Sequence, residues 1–163
     1  MSLALLAVTQ LMAEDMKINV VVGGASFSAT VEDTETGRAF FSLLPLTLNM
    51  NELNGNEKYH YLDSSLPTAS YRPGTINAGD LMLYGSTCVV LFYETFSSGY
   101  SYTRIGAVDN PDGLAQVLGS GNVTVRFEVS ATMSPQGDMN GDGIVTISDV
   151  TALIDYLLVG NGD

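Results

Sequence analysis

Apolar and polar residues alternate along much of this 163-residue chain, and the alternation breaks at glycines. Period two puts successive side chains on opposite faces of an extended strand, so each such run predicts a strand with one covered face. Residues 16–22 and 26–32 predict two strands joined at Gly23-Gly24, a natural hairpin turn. Residues 122–130 predict another, with Val123, Val125, Phe127 and Val129 inward and Thr124, Arg126 and Glu128 outward. Residues 79–85 and 87–94 predict adjacent strands around a two-residue turn at Gly85-Ser86. The second of these is apolar for six residues in a row, so both its faces should be covered. Further strands are predicted over 46–50 and 102–108, a loop over 51–56, and the pattern leaves 57–62 open.

Two segments carry helical spacing instead. Ala39, Phe40, Leu43 and Leu44 recur at helix-compatible intervals within 34–44, and the run stops before Pro45. Asn110 as cap and Pro111 in the first turn open a second short helix that ends at Leu118, before Gly119-Ser120-Gly121. Roughly eight short strands and two short helices in about 117 residues predict a mainly β fold, a closed antiparallel barrel with helices covering its ends.

The order of the pieces carries a resemblance. Glu57-Lys58-Tyr59, the run Gly74-Thr75-Ile76-Asn77-Ala78-Gly79-Asp80-Leu81-Met82-Leu83-Tyr84-Gly85, and Leu91-Phe92-Tyr93 are three of its motifs. Tyr102-Thr103-Arg104-Ile105-Gly106 and Gly113-Leu114-Ala115, followed by Leu118-Gly119-Ser120-Gly121, complete it. Together, over about residues 16–130, they resemble the bacterial cyclophilin-like domains. The resemblance implies an eight-stranded cyclophilin-like β-barrel. A shared barrel does not by itself transfer chemistry.

The tail has a different character. Asp138, Asn140 and Asp142 alternate in a D-x-N-x-D-G loop, with Gly143 at its turn and Asp149 at its twelfth position. A hard cation such as Ca²⁺ takes six to eight oxygens. Asp138, Asn140, Asp142, the carbonyl of Ile144 and Asp149 are the predicted calcium ligands, with a water bridged by Thr146. Thr146-x-x-Asp149 also has the form of a capping box, with Asp in the place of the usual Glu or Gln. Ile147, Val150, Ile154, Leu157 and Leu158 then give one apolar helix face. No helix is predicted ahead of the loop, where Ser134-Pro135-Gln136-Gly137 is turn material. A calcium loop with only its exiting helix (an F-hand), running from Asp142 to Leu158, is similar to a type I dockerin repeat. That resemblance implies attachment to a cohesin-like partner through the helix. Dockerins normally carry two repeats; here Asn161-Gly162-Asp163 echoes the loop, but Val159 stands where its first ligand would be.

Charge narrows the partners. Eighteen acids against six bases give a net charge of −12, and residues 131–163 hold five acids and no base. This excess of negative charge argues against nucleic acid and anionic membrane surfaces. Residues 1–13 form an apolar run with a cleavage-like Leu11-Met12-Ala13 and no preceding Lys or Arg, which reads as a truncated signal peptide. The run is too short for a membrane span. The alternative is an amphipathic or buried helix. The expected organisation is a leader at 1–13, a barrel at 14–130, a linker at 131–137 and a dockerin-like calcium-binding repeat at 138–163. Localisation is expected to be exported: periplasmic, cell-surface or extracellular. The single cysteine, Cys88, sits among apolar residues and reads as a small buried hydrophobe.

No catalytic cluster is legible. One histidine, His60, restricts triad chemistry, and no serine sits in a nucleophile elbow. The first expectation is therefore a secreted non-catalytic binding or adaptor protein, with a calcium-stabilised appendage for protein attachment. Tyr59, His60, Tyr61, Tyr71, Arg72, Tyr100 and Tyr102 are its candidate contact residues, because tyrosines combine apolar area with a polar tip. The alternative is a peptidyl-prolyl cis-trans isomerase. Cyclophilins carry Phe-His-Arg in their catalytic segment, whereas Tyr59-His60-Tyr61 here lacks the arginine. Arg38, Arg72 and Arg104 remain as unmatched candidates for that role.

Overall fold

Period-two alternation needs a partner on either side of each strand, and here eight strands supply one another's. The computed structural model describes residues 16–130 and 146–159. The strands are β1 (Met16–Val22), β2 (Ala25–Val31), β3 (Leu46–Leu53), β4 (Glu57–Tyr61), β5 (Thr75–Ile76), β6 (Asp80–Tyr84), β7 (Cys88–Phe92), β8 (Phe96–Ser97), β9 (Thr103–Val108) and β10 (Val123–Val129). All but β5 and β8 close into a barrel in the order β1-β10-β3-β4-β7-β6-β9-β2. Every barrel pairing is antiparallel, and closure of the ring leaves no edge strand in the barrel. The short strands β5 and β8 pair only with each other. The expected mainly β architecture, a closed eight-stranded barrel with few short helices, is what the chain adopts.

Helix α1 (Glu35–Phe41) follows β2, and the Thr34 side chain caps it by accepting from the Gly37 N–H at 3.0 Å. Helix α2 (Leu114–Leu118) follows β9, which runs antiparallel to β2, so the two helices sit at opposite barrel mouths. Phe40 from α1 meets Phe127 edge to face at 5.5 Å, and Leu114 and Leu118 from α2 join the same core. That core fills the barrel with Ile18, Val20, Leu81, Leu83, Val89 and Leu91, among others. At Gly106 two strands press together: a Cβ there would stand 2.2 Å from the Thr30 carbonyl oxygen and 2.9 Å from Val31 Cα. Only glycine fits that approach.

A second apolar cluster lies on the outer face of β4, β6 and β7. Ile76, Met82, Cys88, Val90, Phe92 and Tyr102 form it, with Tyr59 and Phe96 packed against it. The predicted double coverage of the 87–94 strand is thus realised, barrel core on one face and this cluster on the other.

Several local expectations are corrected. β3 runs on to Leu53 through part of the predicted 51–56 loop, because Asn51, Glu52 and Leu53 pair with Tyr59, Lys58 and Glu57. The β6–β7 turn spans three residues, Gly85 to Thr87, since Tyr84 pairs with Cys88. The 110–118 helix is shortened to α2: Gly113 at its N-cap has φ +83°, and the Asn110 side chain accepts from the Asp112 N–H in a turn ahead of it. Val129 is exposed, not inward, at the end of β10.

The chain divides into two compact units, the second beginning at Ser130. Its described element is α3 (Ile147–Val159). The Asp149 carboxylate accepts from the Thr146 N–H, and the Ser148 N–H donates to Thr146 Oγ1 at 3.3 Å, a capping arrangement of the kind predicted. Ile147, Val150, Ile154, Leu157 and Leu158 are exposed.

Candidate functional site

Strand β4 turns its odd and even residues to opposite sides of the barrel wall. Glu57, Tyr59 and Tyr61 pair with Phe92, Val90 and Cys88, whose side chains face the outer cluster; Lys58 and His60 pair with Leu91 and Val89, which face the barrel core. The outer residues border a cleft of about 400 Å³. Its far wall comes from the 96–102 segment, and β7 forms its floor through Cys88 and Val90.

The walls are aromatic. Tyr59 and Tyr61 meet edge to face at 5.9 Å, Tyr84 and Tyr100 at 6.3 Å, and Tyr84 lies 5.7 Å from Tyr102. Tyr102 also stands edge-on to buried Phe92 at 5.5 Å, which anchors the wall in the cluster beneath. Tyr61 and Tyr100 remain 61 % and 65 % exposed, so the rings are available to a ligand. The segment 69–72 straps this wall from outside: Tyr71 and Tyr102 exchange both backbone hydrogen bonds at 2.9 Å.

Polar groups in the cleft are few. Glu57 is half-buried, and burial, followed by the nearby Glu52 charge, raises its pKa above the ordinary glutamate value. Asn56, next to it, has its side-chain oxygen buried without a hydrogen-bond partner. Cys88 beneath is buried, and burial above all pushes its thiol up to about 11, so it stays protonated and unreactive at neutral pH. The reading of Cys88 as a small buried hydrophobe holds.

Of the predicted contact residues, Tyr59 and Tyr102 come together here, with Tyr61 and Tyr100. His60 does not join them: alternation turns it to the other face, where its Nδ1 lies 2.8 Å from the Asn49 carbonyl oxygen. Tyr71 and Arg72 are exposed on the flanking strap and do not line the cleft. Tyr84, Phe96, Asn56 and Glu57 were not foreseen. Once 57–61 is known to be a strand, period two alone gathers Glu57, Tyr59 and Tyr61 on one face.

On the inner side of β4 the polar groups are fully matched. Lys58 is 0 % exposed and donates to Glu52 Oε2, to the Gly119 carbonyl at 2.8 Å and to the Gly121 carbonyl at 2.6 Å. The Tyr93 hydroxyl donates to the same carboxylate at 2.8 Å, and its ring lies 5.3 Å from Lys58 Nζ. Burial works against the Glu52 charge, but hydrogen bonds from Lys58, Tyr93 and the Gly55 N–H outweigh it and hold its pKa below the ordinary value. The same site pushes the Tyr93 phenol up to about 12, through burial first and then its bond to Glu52.

The arginines named for isomerase chemistry are mostly engaged. Arg104 bridges Glu32 at 2.6 Å and Asp80 at 3.1 Å, and Arg38 pairs with Asp33 at 2.5 Å. Arg72 makes no ion pair among the described residues. Of the predicted calcium ligands, Asp138, Asn140, Asp142 and Ile144 lie outside the described residues, and Asp149 stands in the first turn of α3. Among the described residues, no three His, Cys, Asp or Glu side chains converge as metal ligands, and no helix is long and apolar enough to cross a membrane.

Comparison with known proteins bears on the barrel. A family model described as the Cyclophilin-like family matches residues 20–128. The solution structure of the hypothetical protein AF2241 from Archaeoglobus fulgidus is similar, at 19% identity and a TM-score of 0.56, covering 73% of this chain and 100% of that one. At that identity the likeness is one of fold. No curated protein matches the chain.

Proposed function

The chain belongs to the cyclophilin-like family, and from that premise we propose that it is a secreted, non-catalytic binding protein whose barrel receives its ligand in the tyrosine-walled cleft. The observation that carries this reading is the wall itself, with five tyrosines of β4, β6 and the 100–102 segment in ring contact around an open cleft. Rigid aromatic side chains give large contact area at low entropic cost, which is why binding surfaces favour them. The cleft walls contain neither histidine nor arginine, and its one thiol is held protonated.

The tail completes the proposal as a calcium-stabilised, dockerin-like appendage for protein attachment. Calcium would be held by Asp138, Asn140, Asp142, the Ile144 carbonyl and Asp149. Export to an extracytoplasmic compartment accords with the apolar leader, and a cohesin-like partner would take the α3 face that carries Ile147, Val150 and Ile154. In support, Asp149 stands in the first turn of α3 and accepts from the Thr146 N–H.

A second reading, a peptidyl-prolyl isomerase, is favoured by one observation. Arg72 is exposed and unpaired among the described residues, beside the Tyr71 that straps the cleft wall. A donor poised over a twisting amide is what that reaction requires.

Three measurements separate these readings. Random displayed peptides selected on the full chain should be lost by Tyr61→Ala and Tyr100→Ala variants; selection unaffected by both would remove the cleft from the reading. A cis-to-trans conversion rate of a proline peptide well above background, abolished by Arg72→Ala, would install the isomerase reading instead. Circular dichroism should show more helix in millimolar calcium than in chelator, with Asp138→Ala/Asp142→Ala unresponsive; identical spectra would end the calcium proposal.

A further inference from the structure

The one charged side chain that lines the cleft is a carboxylate. Glu57 brings a carboxylate and Asn56 a carbonyl oxygen, both acceptors, and no lysine or arginine lines the cleft. Elsewhere in the barrel, carboxylates that leave the surface are matched: Glu52 by Lys58, Asp80 by Arg104, and Glu128 by Arg126. Among the described barrel residues Glu57 is the one acid that is neither exposed nor ion-paired. Asn56 Oδ1 is the one buried side-chain polar atom without a partner in the same set. Glu57 and Asn56, adjacent in sequence, both line one aromatic-walled space.

Buried polar groups are ordinarily satisfied, and an exception in a cleft marks where a ligand's complementary group belongs. A carboxylate asks for a cation or a donor. Tyrosine rings ask for the same thing, since the negative face of the ring attracts an ammonium or guanidinium. We propose that the cleft binds a polypeptide segment through a basic side chain, lysine or arginine, whose charged end meets Glu57 and Asn56 while its methylene stem lies against the tyrosines. This deepens the reading of the cleft as the binding site and rests on it. A space of about 400 Å³ holds one such side chain with its flanking backbone. The net charge of −12 would draw a basic segment towards the molecule from a distance.

The test uses the full chain, ¹⁵N-labelled, and three neutral-ended peptides: acetyl-Ala-Lys-Ala-amide, its arginine counterpart and its norleucine counterpart. Norleucine keeps the stem and removes the charge. Either basic peptide should shift the amide resonances of Tyr59, Tyr61 and Tyr100 saturably, at least about tenfold more tightly than norleucine does. Glu57→Gln should weaken the basic peptide by about tenfold and leave norleucine binding unchanged. Asn56→Leu should also weaken the basic peptide while its melting temperature stays at or above that of the parent. Equal binding of norleucine and the basic peptides, or indifference to Glu57→Gln, would overturn the cationic ligand while leaving a binding cleft standing. Absence of any saturable shift with the basic peptides would overturn it too. The cleft reading itself stands or falls on the separate displayed-peptide selection.

Discussion

Glu57 and Lys58 are neighbours on one strand with opposite circumstances. Lys58 points inward and is completely buried, with each of its three N–H donors matched by Glu52, Gly119 or Gly121. Glu57 points outward, is half-buried and has no ion-pair partner. Both sit where a charge is disfavoured by poor solvation. The inner site resolves that with protein groups, so it reads as structure: it ties the loop after α2 to β3 and β4. The outer site leaves its demand open, so it reads as function. Burial of a polar group does not separate the two roles; satisfaction does.

The largest expected effect comes from breaking the satisfied side. Lys58→Met should destabilise the barrel by about 3 kcal/mol, because Glu52 is left without its cation. Denaturant unfolding measures this, and Glu52→Gln/Lys58→Met should recover a large part of the loss. A neutral Lys58→Met would erase the distinction between the two sides. Next in size, Tyr93→Phe should lose about 1 kcal/mol, since its hydroxyl donates to Glu52 at 2.8 Å.

Acid titration of stability sharpens the contrast further, because the two glutamates are shifted in opposite directions. The folded pKa of Glu52 is lowered, so its contribution is present above the ordinary glutamate value and is lost as pH falls through the folded value. Glu57 is raised, so its contribution is full below the ordinary value and is lost as pH rises through the folded one. Glu52→Gln should therefore flatten the acid loss of stability. The smallest effect is on the outer side. At neutral pH Glu57→Gln should match the parent within about 0.5 kcal/mol or exceed it, and any gain should vanish in acid. A marked loss at neutral pH would mean that Glu57 has a structural partner after all.

Much of the barrel was legible because its information is local. Val125 and Phe127 inward against Thr124 and Arg126 outward follow from period two, the Gly23-Gly24 hairpin from its glycines, and the double coverage of β7 from its unbroken apolar run. Where pairing overrides propensity, the reading fell short. Asn51 joins β3 because Tyr59 is opposite it, and β4 itself stayed open between states because Glu57-Lys58-Tyr59-His60-Tyr61 carries charges on both faces. The buried Lys58 depends on carbonyls about sixty residues away, and nothing near it in the chain announces them.

The site was half legible for the same reason. Tyr59, Tyr61, Tyr100 and Tyr102 were picked out by residue type, and the fold does assemble them. Type alone could not drop His60, which needed the strand's phase, nor find Asn56 and Glu57, whose significance is the lack of a partner. A missing partner is a property of three dimensions.

The solitary thiol in the cleft floor gives the molecule an internal clock. Cys88 is 4 % exposed on the cleft floor and its thiol is pushed up to about 11, so an alkylating reagent attacks it slowly, and faster whenever the outer aromatic layer lifts away. Its labelling rate therefore reports how often that layer opens, without any introduced probe. An occupant of the cleft should slow it, whatever that occupant turns out to be.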